Sequence, residues 1–413
     1  MKIAHFSWEY PPAIWGGLGT FAFELTQKQI SKGHQVTVFA INDQNKMKVY
    51  DRNNGFEIYR PYNLDLSSTL SIFSNDDLRS WGQNFKFFAD VINYNYLSAS
   101  FFVNDLIKNQ NKKYDIIDGH DWLGIIGGIV AKKELDIPLF FHVHSTEGGR
   151  SLGDGSDTIK KIEFQGGQSA NCVITVSHAM KEELMQIGFP REKLRVCWNG
   201  VDPKKYDPNR FSSEEIKRFR NKYGINDDEK MVFFIGRLVT VKGADKLVKA
   251  LPYVLEEYPK IKLFILGIGD MEKQIRDLVT SLNIEENVII HNEFVNEKER
   301  ILHYAASDLV VLPSLYEPFG IVCTEAMSMA KPVVVGARGT NGMREQVISA
   351  GSEKSGVHVN PFDPSDIAWG IKQILGSDDM ENIGNNARKR VMDCFSWDAV
   401  ADRTTEIYRE FVK

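Results

Sequence analysis

The sequence predicts an α/β protein made of two doubly wound units, each with a parallel sheet covered on both faces. Three observations predict it. Short runs rich in valine, isoleucine, leucine and phenylalanine alternate with longer amphipathic stretches along the whole chain, and continuous apolar runs at that spacing are strands buried on both sides. The chain has 413 residues, too many for one ordinary core. A segment of prolines and charges, "WNGVDPKKYDPNR", breaks the alternation near the middle.

The elements follow in order. In the first half the strand runs are "KIAHFS", "QVTVFA", "FEIYR", "YDIIDGH", "PLFFHVH", "CVITVS" and "LRVCWNG". One helical stretch, "DLRSWGQNFKFFADVINYNYLSASFFVNDLI", is long and rich in aromatics. It reads as a core helix that fills space with rings, or as an acceptor groove or membrane-surface face. After the break, "SSEEIKRFRNKYG" is a helix with serine at its start and Gly224 at its end. The second-half strands are "MVFFIG", "IKLFILGIG", "NVIIHN", "DLVVLPS", "PVVVGA" and "GVHVN", and the chain closes on an amphipathic helix after Phe395. The pattern of that last helix does not say which unit it packs on.

Composition narrows the function classes. A net charge of −5 gives no electrostatic support to nucleic acid as a partner. Cys172, Cys197, Cys323 and Cys394 are widely spaced with no CxxC pair, which fits a reduced, cytoplasmic setting and no zinc site. The amino terminus enters strand-like sequence at once, so no secretory leader is expected, and no apolar run approaches the ~20 residues of a membrane span.

Ligands of such folds sit beyond the carboxyl ends of parallel strands, and that rule selects the polar residues that matter. "MVFFIG" delivers Arg237, and Lys242 follows in "GRLVTVKGADKL" just before a helix. Two cations at a strand end beside a helix start form an anion site; the alternative is a solvated surface pair. Gly236 and Gly243 flank them, as close backbone approach to a ligand would require. "DLVVLPS" leads into "LYEPFGIVCTEAMSMAKP", with Glu317 in the loop and Glu325 in an apolar helix. A helix starting near Phe319 directs the amides of Phe319, Gly320 and Ile321 toward any phosphate there and puts Glu325 ~9 Å along its axis. A buried Glu325 needs a ligand or a partner; otherwise it is a helix-surface acid. In the first half, His120 and Asp121 end one strand, and His142, His144, Glu147 and Arg150 follow another. His142 and His144 have metal-pair spacing without an obvious third ligand. The simpler reading makes His144 a hydrogen-bond donor at the strand tip and His142 a packed residue.

These motifs resemble those of retaining nucleotide-sugar glycosyltransferases with the GT-B fold. "EPFGIVCTE" matches their E-x7-E motif and "GRLVTVKG" their G-R-(x4)-K-G phosphate motif, while "GHDW", "HVHS", "SHAM", "NGVD" and "WEYPPAIWGGLG" fall in the expected order. The likeness covers nearly the whole chain and is nearest to family 4 glycosyltransferases and glycogen or starch synthases. It implies two Rossmann-like domains facing a central cleft: 1–200 on the acceptor side, joined by the last helix at 397–413, and 201–396 on the nucleotide-sugar side. It implies that Arg237 and Lys242 hold the donor diphosphate, Glu317 the donor sugar and Glu325 the ribose. Phe319, Gly320 and Ile321 would give backbone contacts, His144 a hydrogen bond near the sugar 6-hydroxyl, and Asp121 a wall on the sugar or acceptor side. Gly16, Gly17 and Leu18 would form a loop over the phosphates, and Gly267 and Gly269 would flank the base. The implied reaction is retaining hexosyl transfer from UDP- or ADP-glucose to an α-glucan or other sugar acceptor. No DxD motif occurs, so no metal or other cofactor is expected and Arg237 and Lys242 carry the charge. One departure stands out: bacterial glycogen synthases have lysine where this chain has Ile14.

Several rivals stay open. Gly17-x-Gly19-x-x-Ala22 has the glycine spacing of a dinucleotide turn, with Asp43 as a ribose-binding acid. Against it, "WEYPPAIW" separates the strand from the glycines. A sugar-nucleotide epimerase on a similar frame, a non-catalytic sugar-binding protein, and transfer to a small-sugar or lipid-linked acceptor complete the alternatives.

Overall fold

Apolar runs become strands wherever both faces find a cover. The computed structural model describes residues 1–53, 55–65, 76, 80, 81 and 84–412. Its contacts divide the chain into two units, Met1–Trp198 with Trp397–Lys413, and Asn199–Ser396.

In the first unit the strands are β1 (Lys2–Phe6), β2 (Gln35–Phe39), β3 (Tyr50–Asn53), β4 (Phe56–Tyr59), β5 (Ile116–His120), β6 (Leu139–Val143), β7 (Cys172–Thr175) and β8 (Leu194–Val196). They lie in the order β3-β4-β2-β1-β5-β6-β7-β8. The connection order reverses between β1 and β5, which is the ligand-binding position of an open parallel sheet. The sheet is not wholly parallel: β3 pairs antiparallel to β4. All four β3 residues are exposed, so "YDRN" carries no apolar run to announce a strand.

One face of this sheet packs against the helices Asn84–Ser100 and Asp121–Glu134. The aromatic helix is core: Phe88, Tyr94 and Phe102 are buried among Phe6, Phe39 and Trp122. Its regular part ends at Ser100 and continues as a wider π-helical stretch, Phe101–Asn109. Residues 77–79, 82 and 83 of that run lie outside the described residues. The other face packs against the helices Gly17–Ser31 and Trp397–Arg409, through Phe21, Leu25, Trp397 and Tyr408.

The second unit holds β9 (Lys230–Ile235), β10 (Ile261–Leu266), β11 (Val288–His291), β12 (Leu309–Leu312), β13 (Val333–Gly336) and β14 (Gly356–Val359). Their order is β11-β10-β9-β12-β13-β14, with every paired neighbour parallel. The reversal falls between β9 and β12. The unit's first helix, Ser213–Lys222, starts in a reciprocal cap between Ser212 and Glu215. Among the described residues no helix is long and apolar enough to cross a membrane.

Candidate active site

The reversal between β9 and β12 brings together the loops that follow those two strands. After β9 come Gly236 and the exposed Arg237, then a tight turn at Thr240–Lys242 and the helix Ala244–Leu255. Gly243 joins turn to helix at φ 69°, and a Cβ there would lie 2.2 Å from the Pro313 carbonyl oxygen. The loop after β12 therefore lies directly against the loop after β9. Leu315 N–H donates to the Val241 carbonyl at 2.8 Å. Across this seam the Lys242 ammonium forms a close ion pair with the Glu317 carboxylate. The Lys242 side chain runs over Gly236, its Cγ 3.8 Å from where a Cβ would stand.

The helix expected near Phe319 starts instead at Ile321, with Gly320 as its cap residue at φ 90°. Gly320 turns the chain where a Cβ would meet Met343 Cγ at 2.7 Å and Glu317 Cγ at 3.0 Å, so Phe319 and Gly320 precede the helix. Phe319 is 2% exposed, and its carbonyl accepts from Gln346 Nε2 at 2.7 Å. The amides at the true helix start are those of Ile321 and its successors, and no side chain caps them. Glu325 lies about 6 Å along the axis rather than ~9 Å.

The chain itself supplies the partner that buried Glu325 requires. Tyr206 O–H donates to Oε1 at 2.5 Å and Tyr304 O–H to Oε2 at 2.8 Å. Arg300 stands 3.5 Å from Oε1 and donates to the Tyr206 hydroxyl at 2.6 Å. Burial, and then the nearby Glu325 carboxylate, hold both tyrosines well above their ordinary range. Tyr206→Phe removes a hydrogen bond to a charged group, worth about 1.5–3 kcal/mol. Urea unfolding should show a lower midpoint with an unchanged slope; an unchanged midpoint would show that this bond adds nothing to stability. Gly267 and Gly269 have a packing reason as well: Cβ atoms there would stand 1.8 Å from the Gly236 carbonyl oxygen and 2.2 Å from that of Leu238.

In the first unit, Gly16, Gly17 and Leu18 do not make an open loop. Gly17 and Leu18 are the first residues of the helix Gly17–Ser31, and Gly16 is its cap residue. One carboxylate oxygen of Glu9 accepts from the amides of Trp15 (3.0 Å), Gly16 (3.0 Å) and Gly19 (3.2 Å). A helix amino end favours a negative group, and here an internal carboxylate holds that place. A dinucleotide pyrophosphate would need the same amides, so this contact stands against the oxidoreductase rival.

Strand register assembles the histidines. His5 pairs with Asp118 and His120 with His142. Side chains two apart on a strand share a face, so His5, Asp118, His120, His142 and His144 all point to the side covered by the helices Gly17–Ser31 and Trp397–Arg409. His142 Nδ1 lies 3.0 and 2.8 Å from the two Asp118 oxygens, which makes His142 a buried structural residue. Tyr408 O–H donates to the same carboxylate in a close contact. Burial opposes ionisation of Asp118, yet the surrounding His142, His120 and His5 hold its carboxyl well below the usual range. His5, Asp118 and His120 bring three ligand-type atoms within 4.8 Å of one another, a cluster on different residues from the His142 and His144 pair.

Asp121 starts the helix Asp121–Glu134 with φ 51°, a strained conformation for a residue with a side chain. Its Oδ1 accepts from His144 N–H at 2.7 Å and Ser145 N–H at 3.4 Å, which ties the ends of β5 and β6 together. Burial pushes its carboxyl up to about 6, against the pull of Arg150 and those two amides. Burial likewise raises Glu163 to about 8, where it faces Arg150 at 3.4 Å and accepts from Glu147 N–H.

The expected residues thus group as follows. Arg237, Lys242, Glu317, Gly320, Ile321 and Glu325 share the β9–β12 side of the second unit, and Asp121 and His144 meet at strand ends of the first. Glu9, Tyr206, Tyr304, Arg300, Gln29, His5 and Asp118 are added by the structure. Only the histidine cluster had a usable signal: Asp118-x-His120 and His142-x-His144 have equal spacing on consecutive strands.

Comparison with known proteins agrees with this frame. The Glycosyltransferase Family 4 family matches residues 15–205, and the Glycosyl transferases group 1 family matches residues 215–390. An uncharacterized glycosyltransferase of Methanocaldococcus jannaschii is 35% identical, over 99% of this chain and 98% of its own length. A glycogen synthase of Mycobacterium tuberculosis is 26% identical, over 99% of this chain and 94% of its own. Among solved structures, a sucrose-phosphate synthase of Thermosynechococcus elongatus superposes with a TM-score of 0.76 at 22% identity, over 99% of this chain and 98% of that one.

Proposed function

Because this chain belongs to the family 4 glycosyltransferases of the GT-B type, we propose that it moves glucose from UDP- or ADP-glucose to an α-glucan or related sugar acceptor, with retention of configuration and without a metal ion. The observation that carries this reading is the Lys242–Glu317 pair beside exposed Arg237, at the β9–β12 reversal and next to the uncapped start of the helix Ile321–Ser328. The near full-length likeness to a glycogen synthase supports glucose and a glucan.

In this reading 201–396 binds the nucleotide-sugar, and 1–200 with 397–413 meets the acceptor. The bond from the anomeric carbon to the diphosphate breaks while a bond to the acceptor oxygen forms on the same face. The acceptor proton passes to the departing phosphate oxygen. Arg237, Lys242 and the helix amino end stabilise the charge that develops there. Glu317 meets the sugar once Lys242 turns to the phosphate. Glu325 keeps lone pairs beyond its two tyrosine bonds, and a ribose hydroxyl adds a donor to them.

The test is nucleoside diphosphate release from a panel of sugar donors, with and without acceptor. Release from UDP- or ADP-glucose that depends on an α-glucan is expected, and the rate should be unchanged in EDTA. No glucose donor above background would overturn the donor assignment, and a rate abolished by EDTA and restored by a divalent ion would overturn the metal-free mechanism.

A further inference from the structure

The histidine cluster contains a continuous hydrogen-bonded line. Gln29 Oε1 lies 2.8 Å from His5 Nε2. His5 Nδ1 lies 3.0 Å from His120 Nε2, and His120 Nδ1 lies 3.3 Å from His144 Nε2. Gln29, His5 and His120 are each 0% exposed, and His144 is half-buried at the outer end. Asp118 stands beside the middle of the line, 3.6 Å from His5 Nδ1 and 3.8 Å from His120 Nε2. Its oxygens already receive His142 and Tyr408, so it needs no proton from the line.

A carboxamide oxygen can only accept, and a neutral imidazole has one donating and one accepting nitrogen. Burial keeps His5 and His120 below their ordinary values, hence neutral. Each bond then dictates the next. His5 donates from Nε2 to Gln29 and accepts at Nδ1. His120 donates from Nε2 to His5 and accepts at Nδ1. His144 donates from Nε2 to His120, and its Nδ1, which has no partner among the described residues, keeps a lone pair. This reverses the expectation that His144 acts as a donor.

We infer that Gln29, His5 and His120 are positioning residues that set the tautomer of His144, so that a ligand hydroxyl donates to its Nδ1. The ligand half of this inference rests on the reading above that His144 faces the sugar. The tautomer half belongs to the free protein. The amide of Gln29 acts as the selector, because turning it round would reverse every bond in the line.

The experiment is long-range proton–nitrogen NMR on the full chain labelled with nitrogen-15 histidine, with the His144 signals assigned from His144→Gln. The expected spectrum has His144 Nδ1 unprotonated and Nε2 protonated. The opposite pattern, or an even mixture, overturns the inference. Gln29→Met should abolish the single tautomer while Gln29→Glu, still an acceptor, should keep it; a merely structural role for Gln29 leaves the His144 tautomer unchanged in Gln29→Met, which overturns the inference. If either variant fails to fold, the wild-type spectrum decides. One equivalent of divalent metal in the purified protein also overturns it, since His5, His120 and Asp118 would then face the ion rather than each other. The expected tautomer without glucosyl transfer from any donor defeats the proposed activity and leaves the line standing. Transfer with the reversed tautomer does the converse.

Discussion

Arg237→Ala and Lys242→Ala should each lower turnover by ~100-fold or more, as loss of a donor aimed at developing transition-state charge does. The two substitutions reach that result differently. The Arg237 side chain is exposed and makes no hydrogen bond among the described residues, so its removal leaves the fold intact and unfolding curves of Arg237→Ala should overlay those of the wild type. Lys242 is the counter-charge of Glu317, which is 8% exposed. Lys242→Ala leaves that carboxylate without its counter-charge, and under the proposed donor site its KM should rise along with the fall in kcat. Adding Glu317→Gln to Lys242→Ala should recover part of the KM effect and little of the kcat effect. Steady-state kinetics on the responsive donor gives all of these numbers. Near-wild-type turnover in both single variants would remove the pair from the mechanism.

The second large effect is on stability against pH. His5 and His120 are each 0% exposed, and burial holds both below their ordinary values. The groups facing them are Asp118, His142 and His144 from the strands, Gln29 from the helix Gly17–Ser31 and Tyr408 from Trp397–Arg409. Below the unfolded histidine value of about 6.5 the unfolded chain binds protons that the folded chain refuses, so stability falls as pH falls. Each such ring contributes about 1.4 kcal/mol per pH unit to the slope once the unfolded ring is protonated; His144, lowered to about 3 by burial, adds the same sign, while the raised carboxyls of Asp121 and Glu163 oppose it. Asp118 adds the same sign lower down. Its folded value is depressed, so its contribution is complete above the ordinary carboxylate value of about 4 and is lost as pH drops further. Urea unfolding from pH 7.5 down to about 5 measures the slope. His5→Met should lower it by about 1.4 kcal/mol per pH unit, and an unchanged slope would show that His5 is not among the proton acceptors.

The strands could be read from the chain because each is a continuous apolar run, and buried parallel strands leave no other signal. β3 could not, since Tyr50, Asp51, Arg52 and Asn53 are all exposed and only pairing with β4 makes them a strand. The placement of Arg237, Lys242 and Glu317 together was legible because strand ends and helix starts lie next to them in sequence. The partners of Glu325 were not: Tyr206 and Tyr304 lie 119 and 21 residues away, and no local spacing predicts that meeting. The start of the helix at Ile321 was misplaced by two residues because Pro318 and Phe319 suit a first helical turn, while the positive φ at Gly320 forbids it. The line from Gln29 to His144 needs register, since His5 reaches His120 only through the pairing of β1 with β5.

The chain enters the second unit at Asn199 and leaves it at Ser396, whereas the first unit is sewn from an opening stretch and a closing one. The second is therefore a cassette with two joints, open to exchange with a relative's in a single cut-and-paste. The first admits no such graft, because it is built from two separate stretches, and Tyr408 of the later one closes over Asp118 of the earlier one.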